Sequence, residues 1–396
     1  MKIYFCPALM DALVFLVMFA VMYRAGEQGM GITQCAWMAC LFQLAYMLTS
    51  LVAGFLLSRR NARVILLAST VLCTLGGVTC LMAKEFLLIL VAFGCTGIFT
   101  AVFFNAFQAF MRTESAPGNL GRAIGLYTLA WSLGSAVGIF ASGFFYQLGF
   151  AMLSALTLLV GVVMLVVLFM HKPRPAGAPS ADEYVERGSE KAPPVDPIYV
   201  WVGWVMIFMA MFLQRPIHSF FPAISAKTGV SAFVTGLPLF LQMAVQAVVG
   251  LAMIRWRHRL YRRTPLGLIH GGAAVLLLVM WRWPTLPVCF IGISLLGAYA
   301  GFVFFCCVYY ASNSGRRALN IGVNEFLVGL GSFAGLFISE WVMQRTGNDA
   351  NMYLVIAVAL LISLAAQLAI ASWRSSTGCG GTRFVASAAM PKHGPP

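Results

Sequence analysis

Apolar runs long enough to cross a lipid bilayer recur along this sequence, and no other feature narrows its fold so far. In lipid only helices and closed barrels satisfy every backbone group, and a spanning helix needs about 17 to 25 predominantly apolar residues. Such runs occupy 3–23, 34–57, 63–83, 86–111, 122–147 and 150–170, then 198–221, 232–254, 264–281, 286–310, 317–343 and 350–373. They predict an all-α membrane protein of twelve transmembrane helices in two pseudo-symmetric six-helix bundles, 1–170 and 198–373. Residues 171–197 mix Pro, Ala and both charge signs, the make-up of a flexible linker. Residues 374–396 are Gly, Ser, Ala and Pro without periodicity, a tail expected to be disordered.

Only 10% of the residues are charged, against roughly a quarter in soluble proteins, so the net charge of +14 needs a reason. A nucleic-acid partner would be one; the distribution of the charge supplies another. With the N-terminus inside, 20 Lys and Arg fall in inner segments and 6 in outer ones, the six being Arg24, Lys84, Arg215, Lys227, Arg282 and Arg345. That is the positive-inside pattern, which places both termini and the linker in the cytoplasm and makes no nucleic-acid partner necessary. The first run carries Asp11 and lacks a small-x-small cleavage site, so it reads as an uncleaved span, in a bacterial inner membrane, and not as a secretory signal. The ten cysteines form no C-x-x-C pair and none sits at metal-ligand spacing from a histidine. With no Ser/His/Asp set and no phosphate loop either, no metal, cofactor or enzymatic activity is expected.

The two sixfold sets look like copies. Gly54, Arg59 and Arg63 recur 196 residues on as Gly250, Arg255 and Arg259. Gly134 and Gly138 recur 197 residues on as Gly331 and Gly335, and Gly31-Ile32-Thr33 recurs 198 on as Gly229-Val230-Ser231, which predicts a capping hydroxyl at a helix start in each half. Three anchors at nearly one offset indicate an internal duplication.

The loop GFLLSRRNAR, Gly54 to Arg63, resembles the loop signature of the major facilitator superfamily: Gly, an apolar pair, a small residue, Asp, Arg, any residue, Gly, then basic residues. Gly54, Arg59 and Arg63 hold their places, while Ser58 stands where the family has Asp, Asn61 where it has the second Gly, and Ala62 where it often has Arg. The segment around Gly134 is similar to the family's antiporter signature, with Ile139 in place of its proline and Ser142 in place of a glycine. The resemblance implies two bundles related by an axis along the membrane normal, a mid-membrane site between them, and alternating access by rocking. It implies a secondary transporter of a small organic solute, expected to be a monomer; coupling to protons is expected from the two buried carboxylates, Asp11 and Glu325. A non-transporting receptor or assembly factor on the same fold, and a multidrug efflux antiporter, are the readings left open.

Candidate site residues follow from depth. Asp11 and Glu325 each lie eight residues into their runs, about 12 Å at 1.5 Å per residue, and a carboxylate there costs at least about 2.5 kcal/mol unless paired, hydrated or protonated. They are the candidates for binding a proton or a cationic group. Asn324, Gln242, Gln246, Asn105, Gln108, Tyr127, Trp131 and Tyr299 are the candidates for completing a polar wall. Arg215 reads as the outer end of a span broken at Pro216 and Pro222, where it would snorkel to headgroups, so no basic residue is expected at the depth of the two carboxylates. His218 reads as structural. Gly54, Arg59, Arg63, Arg255 and Arg259 are the candidates for a matched gate, and Gly134, Gly138, Gly331 and Gly335 for close helix packing.

Overall fold

The computed structural model describes residues 5–56, 61–114, 120–171, 198–256, 260, 262–312 and 317–376. Twelve long helices among them are apolar enough to cross a membrane, which makes the chain an integral multi-pass membrane protein. The first half contains α1 (Phe5–Glu27), α2 (Ile32–Leu56), α3 (Ala62–Met82), α4 (Phe86–Glu114), α5 (Leu120–Phe145) and α6 (Phe150–Met170). The second contains α7 (Ile198–Lys227), α8 (Ala232–Arg255), α9 (Arg263–Arg282), α10 (Leu286–Ser312), α11 (Arg317–Thr346) and α12 (Asn351–Ser376). The linker 172–197 and the tail from 377 lie outside the described residues. An even number of crossings brings the two chain ends to one face, here the terminal face; the turns at Gly29 and Gly229 lie on the far face.

Helix ends follow the apolar runs closely, with one consequential exception. α7 continues to Lys227, helical through Pro216 and Pro222. A proline inside a helix removes a single donor, and neighbouring helices can re-satisfy the freed carbonyl. Arg215 is therefore not an outer-surface residue: twelve residues of helix, about 18 Å, separate it from the far end of α7.

Glycines fix how the helices touch. A Cβ at Gly134 or Gly138 would strike the carbonyl oxygen of Ala8 or Ala12, so α5 lies backbone to backbone on α1. In the second half Gly331 and Gly335 stand against the carbonyls of Phe208 and Phe212, which places α11 on α7 in the same way. Gly97 against Phe42 on α2, and Gly297 and Gly301 against Gln242 and Gln246 on α8, repeat the device for α4 and α10. With no hydrophobic drive between helices in lipid, such close approach supplies the dispersion and packing that hold them. The halves meet along α1–α7, α2–α11 and α5–α8, while α3, α6, α9 and α12 turn apolar residues such as Leu75, Val162, Val275 and Ile362 outward.

The duplication has a different pitch at the helix turns from the 196 and 198 read from the sequence. Gly29 and Gly229, both at positive φ, occupy equivalent turns 200 residues apart, as do the starts of α2 and α8 at Ile32 and Ala232. At the terminal face Arg63 donates to the carbonyls of Leu168 and Phe169 at the end of α6, at 3.3 and 3.2 Å. Its counterpart is Arg263, which donates to Ala371 O on α12 at 3.2 Å. The expected hydroxyl caps differ as well. Ser231 Oγ accepts from the Val234 N–H at 3.4 Å, whereas Thr33 sits inside α2 and donates to Glu340 Oε1 at 2.7 Å.

Contacts between the halves close the far face. Tyr23 donates to Val230 O at 2.7 Å, the Gly26 backbone lies against the Ala223 carbonyl, and Thr33, bonded to Glu340, also accepts from Gln344 Nε2 at 2.7 Å. Arg24 is buried just inside this face, donating to Leu81 O and Cys80 O at 2.8 and 3.0 Å and lying 4.5 Å from the Phe150 ring centre. Its charge meets the carbonyl end of α3, where a cation complements the helix dipole.

Candidate functional site between the two halves

A cavity lies between the halves, with about 790 Å³ of unfilled space when its opening to solvent is included, bounded by side chains of α1, α2, α4, α5, α7, α10 and α11. Three ionisable residues of opposite sign share it: Asp11 from α1, Arg215 from α7 and Glu325 from α11. Gln43 and Tyr46 enter from α2, three residues apart and so on one helical face. Phe15, Phe42, Phe104, Trp131 and Phe304 form an aromatic wall, with Trp131 edge-on to Phe304 across the halves, ring centres 4.9 Å apart.

Glu325 is held by the first half. Tyr46 donates to its Oε2 at 2.7 Å and Gln108 Nε2 to its Oε1 at 2.8 Å. Gln108 also reaches the Tyr127 hydroxyl at 3.4 Å. Both oxygens of this carboxylate thus accept bonds from helices of the opposite bundle. Asp11 is only 7% exposed, and its charge interacts with Arg215 and Glu325 across the cavity. The expectation that no basic residue reaches the depth of the carboxylates does not hold: Arg215 does.

Several polar atoms at the cavity are buried without a partner. Gln43, 1% exposed, has neither its Nε2 nor its Oε1 satisfied. Arg215 has unpaired Nε and Nη1, and Asn324 an unpaired Oδ1. The Phe15 ring lies 5.2 Å from the Arg215 Cζ, a cation–π contact made at that distance from the ring centre. Unpaired buried donors and acceptors are costly and rare in native structures, and they concentrate where a function needs them.

The structure sorts the candidate residues. Asp11, Asn324, Glu325, Tyr127 and Trp131 line the cavity, and Gln108 joins it through Glu325 and Tyr127. Gln242 and Gln246 do not: Gln242 bonds His218 Nε2 at 2.9 Å, and Gln246 accepts from Gln214 and donates to Ser132 Oγ, each at 2.9 Å. Tyr299 is buried beside His270, ring centres 5.1 Å apart, away from the cavity lining. Asn105 bonds Ser50 and Ala101 O within the first half. Of the gate candidates, Arg59 and Arg259 lie outside the described residues, Gly54 is in the last turn of α2, and Arg255 ends α8 exposed. Arg63 meets helix-end carbonyls of its own half. Arg215, Gln43, Gln214 and the phenylalanines of the aromatic wall were not among the candidates. Counting back from the turn at Gly229 would have placed Arg215 deep in the membrane, and the Pro216 break hid it.

The sequence model described as Major Facilitator Superfamily matches residues 3–336, which run through both halves and every helix lining the cavity. The chain belongs to the major facilitator superfamily. No curated protein sequence matches it. Among solved structures the human organic anion transporter MFSD10 (TETRAN) superposes with a TM-score of 0.64 at 14% identity, covering 92% of this chain and 98% of that one. At such identity the likeness is one of fold. Membership makes this chain a membrane transporter.

Proposed function

We propose that the protein is a monomeric secondary active transporter that moves a small organic solute by alternating access, coupled to protons through Asp11 and Glu325. The observation that carries this reading is the cavity between the bundles, with two carboxylates in its wall and its far side closed by contacts between the halves. An ionised Glu325 accepts from both Tyr46 and Gln108. A protonated one has lost an acceptor, so its charge state alters what holds α11 to α2 and α4. That ties proton binding to the seam along which the halves would rock. Under the positive-inside reading the terminal face is cytoplasmic; the inner membrane of a bacterium is the proposed location.

The test is accumulation of a bound solute in proteoliposomes under an imposed pH gradient. Asp11→Asn or Glu325→Gln should abolish pH-driven accumulation and leave counterflow exchange measurable. Wild-type pH dependence in both variants would contradict the coupling. A solute that binds but never crosses would favour a receptor that keeps the fold.

A further inference from the structure

We infer that the cavity accepts an organic anion, an aromatic monocarboxylate, with its carboxylate gripped by Arg215 and Gln43 and its ring held by the aromatic wall. That the bound anion crosses the membrane rests on the proposed transport; its binding stands on the site itself.

Unspent hydrogen-bonding capacity decides the sign of the ligand. Glu325 already accepts at both oxygens, from Tyr46 and Gln108, which takes up about half of its acceptor sites. Arg215 is a permanent cation with five N–H donors in one plane. Its Nε and Nη1 donate to nothing, Asp11 included, and a cation–π contact with Phe15 does not use up N–H donors. A carboxylate accepts a charge-assisted bond from either N–H, and because the two lie on different edges of the guanidinium, a two-bond grip on either edge would share Nη2. Gln43, buried at the same cavity with a free Nε2, supplies another donor. Phe15, Phe42, Trp131 and Phe304 then give a planar apolar body offset or edge-on partners.

Asp11 competes for the same guanidinium. A proton on Asp11 removes that competitor, so a proton and an anion enter together and the charge of the site is unchanged. The charges that bear on Asp11 are those of Arg215 on α7 and Glu325 on α11, and its own charge bears on Tyr46 on α2, Tyr127 on α5 and Cys73 on α3. Arg215 is the one cation among them.

The experiment measures the unfolding midpoint of the purified full-length protein with phenylacetate, phenethylamine and 2-phenylethanol, followed by direct binding of phenylacetate. Phenylacetate alone should raise the midpoint, more so at low pH. Arg215→Gln should weaken its binding by about tenfold to a hundredfold, the size of a lost charged hydrogen-bond pair. Gln43→Leu, which leaves every charge in place, should weaken it by about tenfold or less and keeps the test decisive if the arginine variant does not fold. Stabilisation by phenethylamine instead would overturn the anion assignment while leaving a transporter. Equal phenylacetate binding in Arg215→Gln or in Gln43→Leu would overturn the grip, and so would no response to phenylacetate. Binding without uptake into vesicles would sink the transport reading and spare the anion site.

Discussion

The first two helices of each half share a backbone plan and divide the chemistry between them. At the 200-residue pitch, Asp11 corresponds to Met211, Phe15 to Arg215, Val14 to Gln214, Phe42 to Gln242, Tyr46 to Gln246 and Met18 to His218. In the second half the polar members bond to one another: Gln214 to Gln246, and His218 to Gln242. Gln246 extends that chain across the interface to Ser132 on α5. In the first half the positions equivalent to Gln214, His218 and Gln242 are Val14, Met18 and Phe42, and the polar groups Asp11, Gln43 and Tyr46 turn to the cavity. Duplication thus supplies a frame. The frame is set by glycines on α5 and α11, so the side chains facing the cavity are free to differ.

The frame can be broken on either side. Gly138→Val and Gly335→Val each drive a branched side chain into a backbone carbonyl, of Ala12 or Phe212, and each should cost more than about 3 kcal/mol. Loss of monodisperse protein and a lower unfolding midpoint would report it in both. A penalty confined to one variant would mean that the halves are not built on one plan.

Apolar run length and glycine spacing revealed most of this frame. The 197-residue match of Gly134 and Gly138 to Gly331 and Gly335 was correct because helix contact fixes those positions in space. The loop matches slipped because arginines crowd that face. Arg63 aligns by type with Arg259, but the residue doing its work against a helix end is Arg263. Thr33 carried the letter of a cap and serves the far-face seam. At the site, Asp11 and Glu325 stood out because charge is rare in an apolar run. The glutamines of α8 stood out equally, yet sequence gives no rotation for a helix that is apolar nearly all round, and they pack on α5 and α7.

Smaller effects sharpen the contrast between the seams. Gln246→Leu removes the bonds to Gln214, which keeps only Met243 Sδ as acceptor, and to Ser132, and should lower stability by about 1–3 kcal/mol, with the pH dependence of uptake unchanged. Tyr46→Phe, the equivalent position, removes one bond to Glu325. It should cost about 1 kcal/mol in stability and shift the pH dependence of uptake. Uptake profiles and unfolding midpoints of both variants give the comparison; the opposite pattern would place the coupling group in the second-half seam.

The claim that the far face must open is tested most directly by tying it shut. Thr33 and Glu340 are bonded across α2 and α11. With Cys95 and Cys379 exchanged for Ser, Thr33→Cys and Glu340→Cys can be joined by a short reducible bifunctional thiol reagent and uptake followed in proteoliposomes. Joining the two should stop uptake, and reduction should restore it; undiminished uptake with the link intact would contradict alternating access through this face.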